Sequence, residues 1–390
     1  MQQLDNYNYQ QCLRCVMDTS ALDIIFNNNG ICNYCTEFIE KISYSFQDLE
    51  KKKVSLNNFI QKVKKDGKKK RYDCIVGVSG GIDSSWTLVK IKELGLRPLA
   101  VHMDNGWNSE LAQNNIANLV QKLDVDLYTH VINWDEYRKL MQAFFDADVI
   151  DIELLYDNAM LAVNYQQAKK YNLKYIISGS NTATEGMRMP STWNWFKYDK
   201  KNIIGIARKN GIKKLTTFPA IGIIQYIYNT FIKKIVWVRF LDYLNYDKFL
   251  AIDNLEKNYN FKPYQHKHNE SIFTRFYQGY ILPKKFKVDK RKLHYATLVV
   301  SGQISREAAC VELEKSIAYN SKEEMENDIS YFLKKMKWSN DQLNHYLARP
   351  ELSHYLYPNE KILYDVLKKL YKMFVNSKNF FIFLRNNKIK

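Results

Sequence analysis

Apolar positions along this chain fall into two spacings that alternate. Short segments at 72–78, 99–102, 126–132 and 175–177 read as strands, the first an apolar run that looks buried, centred on Cys74-Ile75-Val76. Between them the apolar residues recur at helical spacing: a helix over 84–94 stopping at Gly95, a second carrying Ile116, Leu119, Val120 and Leu123, and a long one over 156–171. Strands alternating with helices predict an α/β fold, a parallel sheet with helices on both faces, with ligands at the strands' C-terminal ends. Beyond about residue 210 the pattern becomes mainly helical, with a charged amphipathic stretch over 311–347 and a Tyr-, Phe- and Lys-rich tail over 361–390. The most membrane-like stretch, 218–250, is interrupted by Lys233, Lys234 and Arg239. That is well short of about 20 uninterrupted apolar residues. It reads as a buried or interfacial helix, with contact to a membrane surface as the other reading and no integral membrane segment.

Cysteine spacing adds a metal site at the N-terminus. Cys12 and Cys15 form one CxxC hook and Cys32 and Cys35 a second, with Gly30 supplying the turn before it. Two such hooks let four thiolates converge on one Zn²⁺, which leaves no open position and makes the metal structural. A pair of disulfides or an iron–sulfur cluster are the rival readings. The expected organisation is a four-cysteine zinc knuckle over 1–40, a basic linker or helix over 41–70, a sheet domain over 71–210, and a mainly helical domain over 211–390 that completes the active site.

Composition changes this picture in one respect. With 58 Lys and Arg against 41 Asp and Glu, the net charge of +17 points to anionic partners without choosing among them. The run over 51–71 holds part of that charge and reads as a solvated helix. The first residues are polar, with no secretory signal, which fits a cytoplasmic enzyme.

Candidate chemistry concentrates where the first strand meets the first helix. Ser79-Gly80-Gly81-Ile82-Asp83-Ser84-Ser85 occupies that turn. Its glycines let backbone approach an anion, the helix N-terminus offers N–H groups, and the serines add hydroxyls. The GxxxxGK[ST] loop of kinases and GTPases is absent here. Asp83 suits either Mg²⁺ or the helix cap. Asp104 and Asn105 follow the second strand, where adenosine would lie, although Asp-Asn-Gly is also an ordinary turn.

These residues resemble the PP-loop of the ATP pyrophosphatases, which share a HUP-type parallel sheet and cleave ATP between the α- and β-phosphates. A narrower resemblance is to the N-acetyl sugar amidotransferases of bacterial surface-polysaccharide synthesis, of the pseudaminic and legionaminic acid type. It rests on the two cysteine hooks, the loop, His102-Met103-Asp104-Asn105-Gly106-Trp107-Asn108, Ser178-Gly179-Ser180-Asn181 through Thr184-Glu185-Gly186, Lys267-His268-Asn269-Glu270-Ser271, Phe273-Thr274-Arg275-Phe276-Tyr277-Gln278, Lys285-Phe286-Lys287-Val288-Asp289-Lys290-Arg291 and Ser301-Gly302-Gln303-Ile304-Ser305-Arg306-Glu307. The resemblance implies adenylation of an N-acetyl oxygen by ATP with Mg²⁺, then its replacement by ammonia from a separate class I glutaminase subunit.

That chemistry assigns expected roles. Lys285, Lys290, Arg291 and Arg275 would clamp the polyphosphate, with Asp83 on Mg²⁺. Asn181, Thr184 and Glu185 would meet substrate, and His268 and Glu270 would orient the sugar or accept a proton. No nucleic acid is expected. The alternative is a tRNA-thiolating PP-loop enzyme, which needs reactive cysteines near the adenylate. Outside the knuckle the chain has only Cys74, in a core strand, and Cys310, in a helix.

Overall fold

The computed structural model describes residues 9–45, 49–264, 270–315, 319, 321–370 and 373. After the knuckle come α1 (Asn33–Ser45) and α2 (Leu49–Gly67). The sheet region then runs β1 (Cys74–Gly77), α3 (Ile82–Glu93), β2 (Pro98–Asp104), α4 (Glu110–Leu123), β3 (Leu127–Val131), α5 (Trp134–Asp146), α6 (Leu154–Lys170), β4 (Tyr175–Ser178), α7 (Thr182–Glu185), α8 (Lys200–Lys209), α9 (Ile223–Ile227) and β5 (Val236–Arg239). Helices α10 (Lys248–Tyr259), α11 (Ile272–Phe276), α12 (Lys290–Val300), α13 (Arg306–Glu314), α14 (Lys322–Met336) and α15 (Asn340–Ala348) follow.

The five strands are all parallel, in the order β3-β2-β1-β4-β5. Alternate residues of the central strands feed opposite faces. Ile75, Leu99 and Ile176 pack into one core cluster with residues of α5 and α6, while Val76, Ala100 and Ile177 pack into the other with residues of α3 and α4. Burial on both faces is why these strands are continuous apolar runs. The edge strand β3 alternates instead between exposed and half-buried positions. Chain direction through the sheet reverses between β1 and β4, so a crevice opens beyond their C-terminal ends.

Gly179, just after β4, has its Cα against the start of α3: a Cβ there would lie 2.6 Å from Ser84 N. That close approach brings the two sides of the crevice together, and only glycine permits it. The helical C-terminal part is fused to the sheet region rather than tethered to it. Trp107 meets Phe273 of α11 at 5.3 Å between ring centroids, and Phe145 of α5 meets Phe332 of α14 at 5.5 Å.

Two expectations are corrected. The stretch 218–250 is not one helix: α9, a π-helical turn (Tyr228–Ile232), β5 and a 3-10 turn (Phe240–Tyr243) share it. Its strand completes the sheet, with Ile176 opposite Trp237, so the sheet extends beyond the boundary expected at 210.

Candidate active site

The turn after β1 is built from its own polar groups. Ser84 Oγ accepts from Ser79 N at 3.2 Å and donates to Gly81 O at 3.1 Å, while Gly81 N donates to Ser79 Oγ at 3.2 Å. Gly80 has φ +83°, and a Cβ on it would meet Ala112 O at 2.7 Å, so the position requires glycine. Gly81 is the N-cap of α3 and no side chain caps that helix, the arrangement that anion sites exploit. Behind the loop, buried His102 holds Val78 O with Nδ1 at 2.9 Å. Burial lowers its pKa, so the ring is neutral; Nδ1–H donates and Nε2 accepts from Asn108 Nδ2 at 2.9 Å.

A cavity of about 250 Å³ opens on this loop. Ser79, Gly81, Asp83 and Ser84 form one wall, Gly179, Thr184 and Glu185 another, and Tyr156 and Trp237 line it further. Tyr264, Lys248 and Glu270 close it from the C-terminal part. Tyr264 donates to Gly80 O at 3.2 Å, and a Cβ on Gly81 would lie 3.3 Å from Glu270 Oε1. Asp83 sits in the first turn of α3 and does not cap it; its carboxylate accepts from Tyr246 Oη and, at 3.1 Å, from Thr184 Oγ1. Burial first, and then the Asp83 charge, push the Tyr246 phenol well above its ordinary value, so it stays a donor. Among the described residues Lys248 is the one cation lining the cavity.

The four knuckle cysteines are fully buried and their Sγ atoms lie within 4.8 Å of one another, with Cys12–Cys35 and Cys15–Cys32 each at 3.8 Å. Zn–S bonds of about 2.3 Å give a tetrahedral edge of about 3.8 Å, so the set fits one tetrahedral ion. Backbone N–H groups of Cys32 and Met17 point at Cys12 Sγ (3.3 Å) and Cys15 Sγ (3.4 Å), as they do for thiolates. Arg306 of α13 donates to the carbonyls of Cys12 and Cys15, both at 3.1 Å, and Lys292 of α12 pairs with Asp18.

Comparison with known proteins gives two matches in tandem. The family described as "NAD synthase" matches residues 53–190, and "LPS biosynthesis protein WbpG-like, C-terminal domain" matches 270–371. The chain thus joins a segment similar to NAD synthases to one similar to the C-terminal domain of a WbpG-like lipopolysaccharide biosynthesis protein. Similar solved structures include an NH3-dependent NAD synthetase from Campylobacter jejuni, 18% identical over 54% of this chain and 85% of that one, TM-score 0.28. An NMN synthetase from Francisella tularensis is 14% identical over 57% and 99%, TM-score 0.29. A U34-tRNA thiolase from Methanococcus maripaludis is 13% identical over 78% and 89%, TM-score 0.30. No curated protein matches significantly. In this chain the cavity lies where the two matches meet: the first contributes the loop, Thr184 and Glu185, the second begins at Glu270.

Of the residues expected to form the site, the cavity wall brings together Ser79, Gly81, Asp83, Ser84, Thr184, Glu185 and Glu270. Ser85 is buried at 1% exposure, and Gly80 shapes the turn. Asp104 and Asn105 fold onto their own turn, accepting from Gly106 N at 2.7 Å and Trp107 N at 3.1 Å, and do not line the cavity. Asn181 is a buried N-cap of α7, accepting from Thr184 N at 2.8 Å. His268 lies outside the described residues.

The expected cationic clamp is not assembled on the loop, because each cation is held by acceptors elsewhere. Arg275 forks onto Asp328 with both contacts at 2.7 Å, Lys290 pairs with Glu153 at 2.7 Å, and Arg291 with Asp289 at 2.7 Å. The Lys285 ammonium is fully buried, donating to Tyr346 O (2.7 Å) and Arg349 O (2.6 Å) and pairing with Asp148 at 3.0 Å. Burial lowers its pKa and Asp148 partly restores it. Truncating Lys285 to Ala should therefore cost about 3–5 kcal/mol of stability, read as a drop in denaturation midpoint, with turnover per folded molecule unchanged. Lost turnover at full stability would return Lys285 to the site. Sequence reasoning missed Tyr156, Tyr246 and Lys248, which no motif marks, and Gly179, which stands in a segment that carried the resemblance.

Proposed function

We propose that this protein is the ATP-dependent synthetase of an amidotransferase that converts the N-acetyl group of a bacterial surface sugar into an acetamidino group. The sugar would serve lipopolysaccharide O-antigen, capsule or flagellin glycan, and ammonia would come from a separate class I glutaminase in the cytoplasm. One observation carries the reading: a PP-loop and the first residue of a WbpG-like domain, Glu270, face each other across one cavity.

In the first step the N-acetyl oxygen attacks the α-phosphorus of ATP. The bond to the β-phosphate oxygen breaks and pyrophosphate departs onto the loop, where the Gly81 backbone, the α3 N-terminus and the Ser79 and Ser84 hydroxyls receive its charge. Lys248 adds the cation that the 285–291 segment does not. Ammonia then attacks the imidate carbon, AMP leaves, and Glu270 accepts the proton shed by the incoming nitrogen. The oxygen donors of Asp83, Thr184 and Glu185 fit Mg²⁺, a hard cation that would neutralise polyphosphate charge when bound. The four cysteines hold structural zinc.

Thiolation would need a nucleophilic sulfur at the adenylate. Among the described residues no cysteine lines the cavity: Cys74 is fully buried in β1 with its thiol pushed well up by burial, and Cys310 lies on α13. Purified protein given ATP, Mg²⁺, ammonium and an N-acetyl sugar should release AMP and pyrophosphate and yield a sugar product 1 Da lighter, as oxygen is exchanged for NH (about 16 Da lost and 15 gained). ADP as product, or pyrophosphate released only when tRNA is supplied, would overturn the reading.

A further inference from the structure

From position 200 to 241 every charged side chain is a cation, Lys200, Lys201, Arg208, Lys213, Lys233 and Lys234 among them, with Asp199 and Asp242 bounding the stretch. Arg239 pairs with Asp242, but those six make no ion pair among the described residues, and five of them are exposed. In the middle of the stretch, α9 and the π turn after it form one short helix over 223–232. Its exposed residues include Ile224 at 72%, Tyr228 at 45%, Phe231 at 54% and Ile232 at 67%. Spacings of four, three and one put these four side chains on one face. The face turned inward buries Ile223 and the polar Asn229. A helix of a soluble domain ordinarily directs its apolar stripe to the core; this one presents it to solvent.

The cations stand at both ends of that stripe. Lys233 and Lys234 follow the helix directly, with the Lys233 ammonium 5.7 Å from the Tyr228 ring centroid. At the other end a surface groove places Lys200, Lys201 and Arg208 beside Ile224. Among the described residues the one carboxylate in that groove, Glu360, accepts backbone N–H groups of Lys201 and Ile223, both at 3.3 Å. Val236, 48% exposed, continues the apolar surface onto the edge strand β5.

We propose that this face docks on an anionic phospholipid bilayer, with Ile224, Tyr228, Phe231 and Ile232 entering the headgroup–acyl boundary and the flanking lysines and Arg208 meeting lipid phosphates. An apolar stripe on a short helix, bordered by cations at both ends, is the arrangement of interfacial anchors. No described helix is long and apolar enough to cross a membrane, so the helix lies on the surface. A second copy of the chain is a poor occupant, because the same cationic face would meet itself. The strand that leaves the docked helix, β5, carries Trp237 into the wall of the ATP-loop cavity, so the face and the cavity share one structural element.

Full-length protein should cosediment with vesicles containing phosphatidylglycerol, and far less with pure phosphatidylcholine or at high salt. Each lysine near such a surface is worth about fivefold in binding. Lys233→Glu/Lys234→Glu should therefore weaken vesicle binding at least about 25-fold, and Ile224→Ser/Ile232→Ser should remove it by a separate route. All four positions are exposed, so melting temperature and vesicle-free ATP turnover should stay as in wild type. Wild-type protein remaining in the supernatant, or both variants binding vesicles as well as wild type, would overturn the proposal. A glutaminase captured by wild type but not by these variants, without vesicle binding, would reassign the face to a protein partner and equally defeat it.

Discussion

Changing Asp83 to Asn should reduce AMP formation by about 10²–10³-fold, the size of effect seen when a group that organises transition-state charge is lost. Two hydroxyl donors, Tyr246 Oη and Thr184 Oγ1, fix the carboxylate in the first turn of α3, on the wall of the cavity. A carboxylate stabilises a helix start through the macrodipole, yet it repels a polyphosphate bound at the same place unless a cation lies between them. Asn separates the two roles. It keeps an acceptor for Tyr246 or Thr184 but carries no charge, so a purely architectural Asp83 would tolerate it. A metal-holding Asp83 would not, and the residual activity should demand more Mg²⁺. Tyr246→Phe removes only a donor to the carboxylate and should cost far less, about tenfold or under, in keeping with a net hydrogen-bond value of about 1 kcal/mol. If Asp83→Asn turns over ATP like wild type, the carboxylate is a structural anchor and the Mg²⁺ assignment falls. A thermal melt accompanies the assay, since loss of one of these part-buried bonds alone costs about 1 kcal/mol.

The parts of this fold that were legible in the sequence are those where local pattern and tertiary environment agree. Strands β1, β2 and β4 are apolar runs because both sheet faces cover them, and the loop after β1 is marked by its glycines. The fifth strand was not legible. Its residues Val236-Trp237-Val238-Arg239 sit inside a long apolar stretch, and a short apolar segment has no period that tells strand from helix. The cations at 275–291 show a subtler limit. Their charge is plain in the sequence, but four of the five carboxylates that claim them, Glu324, Asp328, Asp148 and Glu153, are remote along the chain. Spacing cannot reveal that a lysine is already neutralised by a residue more than a hundred positions away. Glu270 was found because the segment around it resembles a family; Lys248 went unnoticed because only the fold brings α10 to the loop.

Cys32→Ser should have the other large effect, and it should reach beyond the knuckle. Among the described residues the N-terminal segment ahead of α1 has little secondary structure of its own, with isolated bridges at Gln11–Asp18 and Phe26–Cys32. Its buried core is largely the four sulfurs and the residues around them. Structural zinc contributes about 10–16 kcal/mol in small peptides, as much as the whole net stability of a typical domain, about 5–15 kcal/mol. Without the fourth thiolate the segment should lose its structure, seen as a metal content falling from one ion per chain to none and as new protease cleavage before α1. The consequence for catalysis follows from what leans on it. Phe38 of α1 packs so closely on Gly186 that a Cβ there would lie 2.2 Å from the Phe38 ring, and Lys41 donates to Gly186 O at 3.2 Å. Arg188 pairs with Asp23 at 2.9 Å and Glu37 at 2.8 Å and stacks 4.6 Å over Tyr34. Gly186 directly follows α7, the helix that carries Thr184 and Glu185 into the cavity. Loss of the knuckle should therefore raise the KM for ATP as well as lower the melting temperature, and Arg188→Ala should reproduce part of the KM change while keeping the metal. A Cys32→Ser protein that is metal-free, yet melts and turns over ATP like wild type, would show that the knuckle neither folds this end of the chain nor supports α7.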